Sequence, residues 1–225
     1  MKHERASQTR LRRLVVGGLA LVLAGAFGGA QAQSSAPVAG KDYVVIPNGT
    51  PLEPEQGKVV VEEFFNYVCP ACNVFEPQFV AWQGQLPSYV KVVLVPATFR
   101  QDFLPYAYAF YAAKSLGLVD KTHAAVFAAI HRTHTLPAEG DAPDEKKIAD
   151  FYAQYGVTAD EFLKTMHSFG VEVAVRRATD HLKRMRVMST PSIVIDGRYL
   201  VRGQTYADML RIANYLIEQE HAAGR

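Results

Sequence analysis

Cys69 and Cys72 are the two cysteines of a 225-residue chain, spaced C-x-x-C within Tyr67-Val68-Cys69-Pro70-Ala71-Cys72-Asn73-Val74. Thiols at this spacing can exchange a disulfide, hold a metal or staple the chain. A four-residue disulfide loop removes only about 2 kcal/mol of unfolded-chain entropy, against roughly 4.7 for a hundred-residue loop, so the pair is a poor staple. Zinc usually takes four ligands, commonly from two such pairs or from one pair with closely spaced histidines. Redox exchange is therefore the expected chemistry, and no metal site is expected.

Such a pair must be presented by something rigid. Upstream, Lys58 to Phe65 reads Lys-Val-Val-Val-Glu-Glu-Phe-Phe, a β-branched and aromatic run that predicts one buried strand. Downstream, Val74, Phe75, Phe79, Val80 and Trp82 recur at helical spacing. Pro70 suits the first helical position, which places Cys69 at the N-cap. There its sulfur faces unpaired N–H groups and the positive end of the helix dipole, which favour thiolate over thiol and make Cys69 the attacking or leaving sulfur. Pro77 falls inside the helix and is expected to kink it by removing a bond to Asn73.

The chain opens with Lys2, Arg5, Arg10, Arg12 and Arg13, an apolar run from Leu14 to Phe27, and Ala30-Gln31-Ala32. This is the layout of a secretory signal over 1–32 with cleavage after Ala32, and the apolar run is too short to span a bilayer. The 24 basic and 22 acidic side chains become 19 and 21 once 1–32 is removed, a net charge of −2. The excess of positive charge thus belongs to the signal, and nucleic-acid binding is excluded as a reading. Export also implies oxidising surroundings, in which a lone cysteine pair can be a disulfide donor.

Residues 33–40 are small and polar, as expected of a flexible leader. Tyr43 to Ile46 predicts an edge strand and Val90 to Val95 another. Helical patterns then follow over Tyr106 to Leu116, Lys121 to His131, Lys146 to Tyr155, Glu161 to Phe169, with a capping box from Thr158, and Val171 to Arg186. Strand signals return only at Pro191 to Ile195 and Arg198 to Val201, before a final helix over Tyr206 to Gln219. The order β, β, α, β, helices, β, β, α predicts an α/β domain interrupted by a helical one. His131 and His134 read as surface histidines, and Tyr106, Tyr108, Phe110 and Tyr111 as helix core.

With these motifs placed, the chain resembles the DsbA family of exported thiol:disulfide oxidoreductases, over nearly all of the mature chain. The likeness is carried by Glu63-Phe64-Phe65-Asn66-Tyr67-Val68-Cys69-Pro70-Ala71-Cys72, by the helical block after Pro105, and by Ser189-Thr190-Pro191-Ser192 with the following Ile193 to Tyr199. It implies an α/β thioredoxin fold with an inserted all-helical domain: residues 41–100 and 171–225 form the thioredoxin-like part and 101–170 the insert. It implies further that Cys69 is the exposed nucleophile, Cys72 the buried resolving cysteine, and Pro191 a cis-proline facing the pair. Pro70, Ala71 and Thr190 would line the substrate site. Glu63 matches a buried acid that would exchange a proton with Cys72; strand alternation allows at most one of Glu62 and Glu63 to be buried there.

The resemblance further implies a periplasmic location, reduced exported proteins as substrates, a quinone-linked membrane partner of the DsbB type as reoxidant, a monomeric state, and no cofactor beyond the Cys69–Cys72 disulfide. The sequence departs from the family's best-known pattern at Ala71, where histidine is usual. Losing that imidazole should make the pair a milder oxidant. Ala71 and Thr190 also favour a rival reading as a reductase or isomerase, although no N-terminal dimerisation domain precedes the active-site strand. A non-catalytic chaperone holding extended chains is the third reading.

Overall fold

The Val59-Val-Val-Glu-Glu-Phe-Phe65 run forms a strand whose seven residues are all buried, which requires protein on both of its faces. The computed structural model describes residues 35–224; the expected signal over 1–32 and its cleavage point lie outside them. The strands are β1 (Tyr43–Val45), β2 (Val59–Phe65), β3 (Val90–Pro96), β4 (Ser192–Ile195) and β5 (Tyr199–Val201). They form one sheet in the order β1-β5-β4-β2-β3. β2 and β3 run parallel, with Val59 opposite Val90, and the other pairings are antiparallel. The helix α1 (Pro70–Gln83) joins β2 to β3. Between β3 and β4 come α2 (Leu104–Ser115), α3 (Val119–His131), α4 (Glu145–Tyr152), α5 (Ala159–Met166) and α6 (Phe169–Arg184), and α7 (Tyr206–Ala222) closes the chain. This is the order of elements expected from the sequence pattern.

Two apolar layers cover the sheet. On one face Val59, Val61, Ile193 and Ile195 pack against Phe75, Phe79 and Trp82 of α1 and Ile212, Leu216 and Ile217 of α7. On the other, Val60, Phe64, Val93, Val95 and Val194 meet the helical block, including Phe110, Phe127, Ile148, Phe162 and Leu182. The chain's single tryptophan, Trp82, ties α1 to α7: its Nε1–H donates to Asn214 Oδ1 at 2.7 Å, and its ring lies 5.4 Å from that of Phe79.

Three local readings are revised. The helix expected over Glu161 to Phe169 is interrupted, because Ser168 caps a new one: its Oγ accepts the Val171 N–H at 3.4 Å, so Phe169 opens α6. Thr158 does cap α5, accepting the Glu161 N–H at 3.1 Å. Within the stretch expected as a leader, Val38 to Asp42 closes a turn in which the Val38 N–H reaches Asp42 Oδ2 at 2.8 Å. Pro77 lies inside α1 as expected. Of the four aromatics of α2, Tyr106, Phe110 and Tyr111 are core, while Tyr108 is half-buried.

Candidate active site

The turn from β2 into α1 is built before the cysteines arrive. Asn66, fully buried, donates through Nδ2 to the carbonyls of Ala97 at 2.9 Å and Phe103 at 3.2 Å, while its Oδ1 accepts the Val68 N–H at 3.2 Å. The Cys69 N–H returns to the Asn66 carbonyl at 3.1 Å. Cys69 is then the N-cap of α1, with extended backbone (φ −74, ψ 115) and Pro70 in the first turn. This is the geometry expected from Pro70, and it turns the Cys69 sulfur toward the unpaired N–H groups of the helix start.

Both cysteines are free thiols. The Cys72 N–H donates to Cys69 Sγ at 3.3 Å, and the Thr190 hydroxyl donates to the same sulfur at 3.3 Å. In the thiol form Cys69 can donate instead to the Thr190 carbonyl, 3.6 Å away. The Thr190–Pro191 peptide is cis, as the resemblance implied. The hydrogen bond from the Cys72 thiol, together with those from Thr190 and the helix N-terminus, outweighs burial and lowers the Cys69 pKa to about 6. Burial, and then the neighbouring Cys69 sulfur, raise that of Cys72. The two thiols are thus driven apart in acidity, with the proton kept on the inner one.

Cys69 is only 7% exposed, where the resemblance implied an exposed nucleophile; both the hydroxyl and the carbonyl of Thr190 lie against its sulfur. Cys72 is 1% exposed. Pro70 is exposed and Ala71 half-buried, and the Ala71 carbonyl accepts the Tyr206 hydroxyl at 3.2 Å. Around the pair the surface is apolar: Val74, two residues past Cys72, is 58% exposed, and Met188, two before Thr190, is 82% exposed.

The expectation that at most one of Glu62 and Glu63 is buried is wrong: both are fully buried. Alternation does put them on opposite faces, but β2 lies inside the sheet between β4 and β3 and both of its faces are covered. Glu62 faces α6, where its Oε1 accepts from His181 Nε2 at 2.8 Å and from the Leu52 N–H at 2.7 Å. Glu63 falls on the α1 face with Val59 and Val61. Neither of its carboxyl oxygens has a hydrogen-bond partner; burial, and then the charge of Glu76 on α1, raise its pKa well above 4.5.

The surface reading of His131 also fails. His131 Nε2 lies 2.7 Å from the Tyr67 carbonyl and is half-buried, whereas His134 is exposed. A second histidine, His123, which the sequence did not single out, meets the Tyr67 hydroxyl through Nδ1 at 2.8 Å and has its Nε2 3.3 Å from Glu76 Oε1. Nothing local in the sequence signals either contact, because Tyr67 and α3 are more than fifty residues apart. Among the described residues no group of three or more His, Cys, Asp or Glu side chains could hold a metal ion.

A mixed sheet covered by helices on both faces, with a C-x-x-C pair at the start of the helix that follows a central strand, is a thioredoxin-like arrangement. A family model described as Thioredoxin matches residues 54–214. The thiol:disulfide interchange protein DsbA of Burkholderia cepacia is 35% identical over 205 residues, covering 89% of this chain and 94% of that protein. Its counterpart in Pseudomonas aeruginosa is 35% identical over 218 residues, covering 96% and 100%. The crystal structure of oxidoreductase DsbA from Xylella fastidiosa superposes with a TM-score of 0.80 at 40% identity, over 84% of this chain and 100% of that one. The chain belongs to the DsbA family of thiol:disulfide oxidoreductases, with the thioredoxin-like α/β fold.

Proposed function

We propose that this protein is a disulfide donor, which passes the Cys69–Cys72 disulfide to reduced exported proteins. The observation that carries this reading is the set of donors around Cys69 Sγ. They stabilise a thiolate, hence the reduced pair, and a stabilised reduced form makes the disulfide an oxidant. A substrate thiolate attacks Cys69 Sγ; the Cys69–Cys72 bond breaks, and Cys72 leaves with the electron pair and takes up a proton. A second substrate thiolate attacks the substrate sulfur of the mixed disulfide and releases Cys69 as thiolate, so the substrate is oxidised by two electrons and the pair reduced by two.

Glu63 exchanges the Cys72 proton in this reading, supported by its burial on the α1 face and its unpaired carboxyl. Thr190, Pro191, Pro70 and Ala71 receive an extended substrate chain, with exposed Val74 and Met188 as apolar neighbours. Residues 41–100 with 171–225 act as the thioredoxin-like part and 101–170 as the inserted helical domain. The basic and apolar N-terminal layout supports export to the periplasm, where a DsbB-like quinone reductase reoxidises a monomeric enzyme.

The test is refolding of a reduced, disulfide-requiring substrate, combined with titration of the pair against glutathione. Wild type should restore activity and the Cys69→Ser/Cys72→Ser double variant should not. A double variant equal to wild type sinks the redox reading and leaves a peptide-holding role. Ala71 favours the second reading, a reductase or isomerase; a potential near that of thioredoxin would establish it.

A further inference from the structure

Within the Asn66–Cys69 turn, the carbonyl of Tyr67, a residue 1% exposed, finds its hydrogen-bond partner outside the turn. The donor comes from α3. A carbonyl can only accept, so His131 carries its proton on Nε2 and donates it at 2.7 Å. Two turns earlier on the same helix, His123 Nδ1 meets the hydroxyl of the same Tyr67 at 2.8 Å. Between them, Phe127 lies four residues from each histidine, so the three side chains form one stripe along the helix. The rings follow one another, with His123 to Phe127 at 5.4 Å and Phe127 to His131 at 6.1 Å. The Tyr67 ring lies across this stripe, 5.1 Å from Phe127 and 5.2 Å from His123. Tyr67 is therefore gripped at both ends, hydroxyl and backbone carbonyl, by a helix remote in sequence.

We propose that His123, Phe127 and His131 are positioning residues for disulfide exchange: by clamping Tyr67 they fix the turn that aims Cys69 Sγ at its donors. The inference rests on the redox reading above. The connection is short. Tyr67 and Val68 are the central residues of a four-residue turn closed by the Cys69 N–H and the Asn66 carbonyl. Asn66 secures one side of that turn through Ala97 and Phe103, and the stripe secures the other. Without His131 the middle peptide is free to rotate toward another donor, and Cys69 turns with it. The other titratable groups facing Tyr67 and His123 are Glu76 from α1, Tyr106 from α2 and Tyr152 from α4, so the clamp also joins the helical block to the active-site helix through the His123–Glu76 contact.

The test compares the full-length mature protein with His131→Leu, which keeps bulk and removes the donor, and His131→Gln, which restores one. Thiolate absorbance of the reduced protein is followed against pH, and the rate of exchange with oxidised glutathione is measured below pH 6. In His131→Leu the Cys69 titration should move upward by half a unit or more, which lowers the thiolate fraction, and with it the rate, about threefold; His131→Gln should recover most of it. Tyr67→Phe, which deletes only the hydroxyl and spares the packing, gives the same readout if His131→Leu does not fold, and should also titrate upward. Wild-type titration in His131→Leu, or a glutamine variant that tracks leucine, overturns the clamp. Failure of the wild type itself to exchange with glutathione would instead remove the redox reading beneath it.

Discussion

Replacing Thr190 by valine removes one oxygen and keeps the shape of the side chain. That oxygen donates to Cys69 Sγ at 3.3 Å. A hydrogen bond to a charged acceptor contributes roughly 1.5–3 kcal/mol, and sulfur, a weak acceptor, puts this one near the lower end. At 1.36 kcal/mol per unit, the Cys69 pKa should move from about 6 to about 7. At pH 7 the wild-type sulfur is then almost fully ionised and the variant's about half so. The reduced form loses about 1 kcal/mol, and the reduction potential becomes about 20 mV more negative. Because the folded pKa lies below the ordinary value of 9.0, Cys69 stabilises the reduced protein above that value and loses the contribution as pH falls to 6. In Thr190→Val the loss should end near 7. Thiolate absorbance against pH, the glutathione equilibrium at pH 7 and thermal unfolding of the reduced protein across that window read the three effects. An unchanged or lower Cys69 titration would refute the assignment of the hydroxyl as a thiolate donor.

Three further outcomes follow from other side chains. Glu63 has a folded pKa raised above 4.5, so its contribution to stability is present below that value and is lost as pH rises; Glu63→Gln should therefore be more stable than wild type by a margin that grows with pH in thermal melts, and a constant margin would contradict the assignment. His181→Ala leaves the buried Glu62 without one of its two hydrogen-bond partners and should cost about 3 kcal/mol in denaturant unfolding; an unchanged unfolding midpoint would contradict it. Ala71→His places an imidazole between the cysteines and should lower the Cys69 pKa and raise the glutathione-measured potential.

The redox centre was legible because its causes are local. Pro70 after Cys69 sets the N-cap, and the apolar spacing from Phe75 to Trp82 sets the helix behind it. The strand and helix order followed from periodicity in the same way; between α5 and α6 only the boundary moved, from between Phe169 and Val171 to Ser168, whose role shows only when its Oγ is seen on the Val171 N–H. What was not legible depends on the sheet as a whole. Alternation in Glu62-Glu63 gives opposite faces, yet only the inner position of β2 makes both faces buried. The contact of Thr190 with Cys69, and the hold of His131 and His123 on Tyr67, join segments 56 to 121 residues apart, and no short-range pattern encodes such pairs.

Trp82 stands ten residues beyond Cys72 on the same helix, about 15 Å along its axis, and is locked to Asn214 of α7. That separation puts the indole out of contact with the sulfur pair and inside the α1–α7 seam. Its fluorescence is accordingly a gauge of whether the two helices stay docked, and one optical baseline serves both oxidation states. A change of emission on reduction would report that α1 itself has moved, turning a lone buried side chain into a built-in strain gauge for the catalytic cycle.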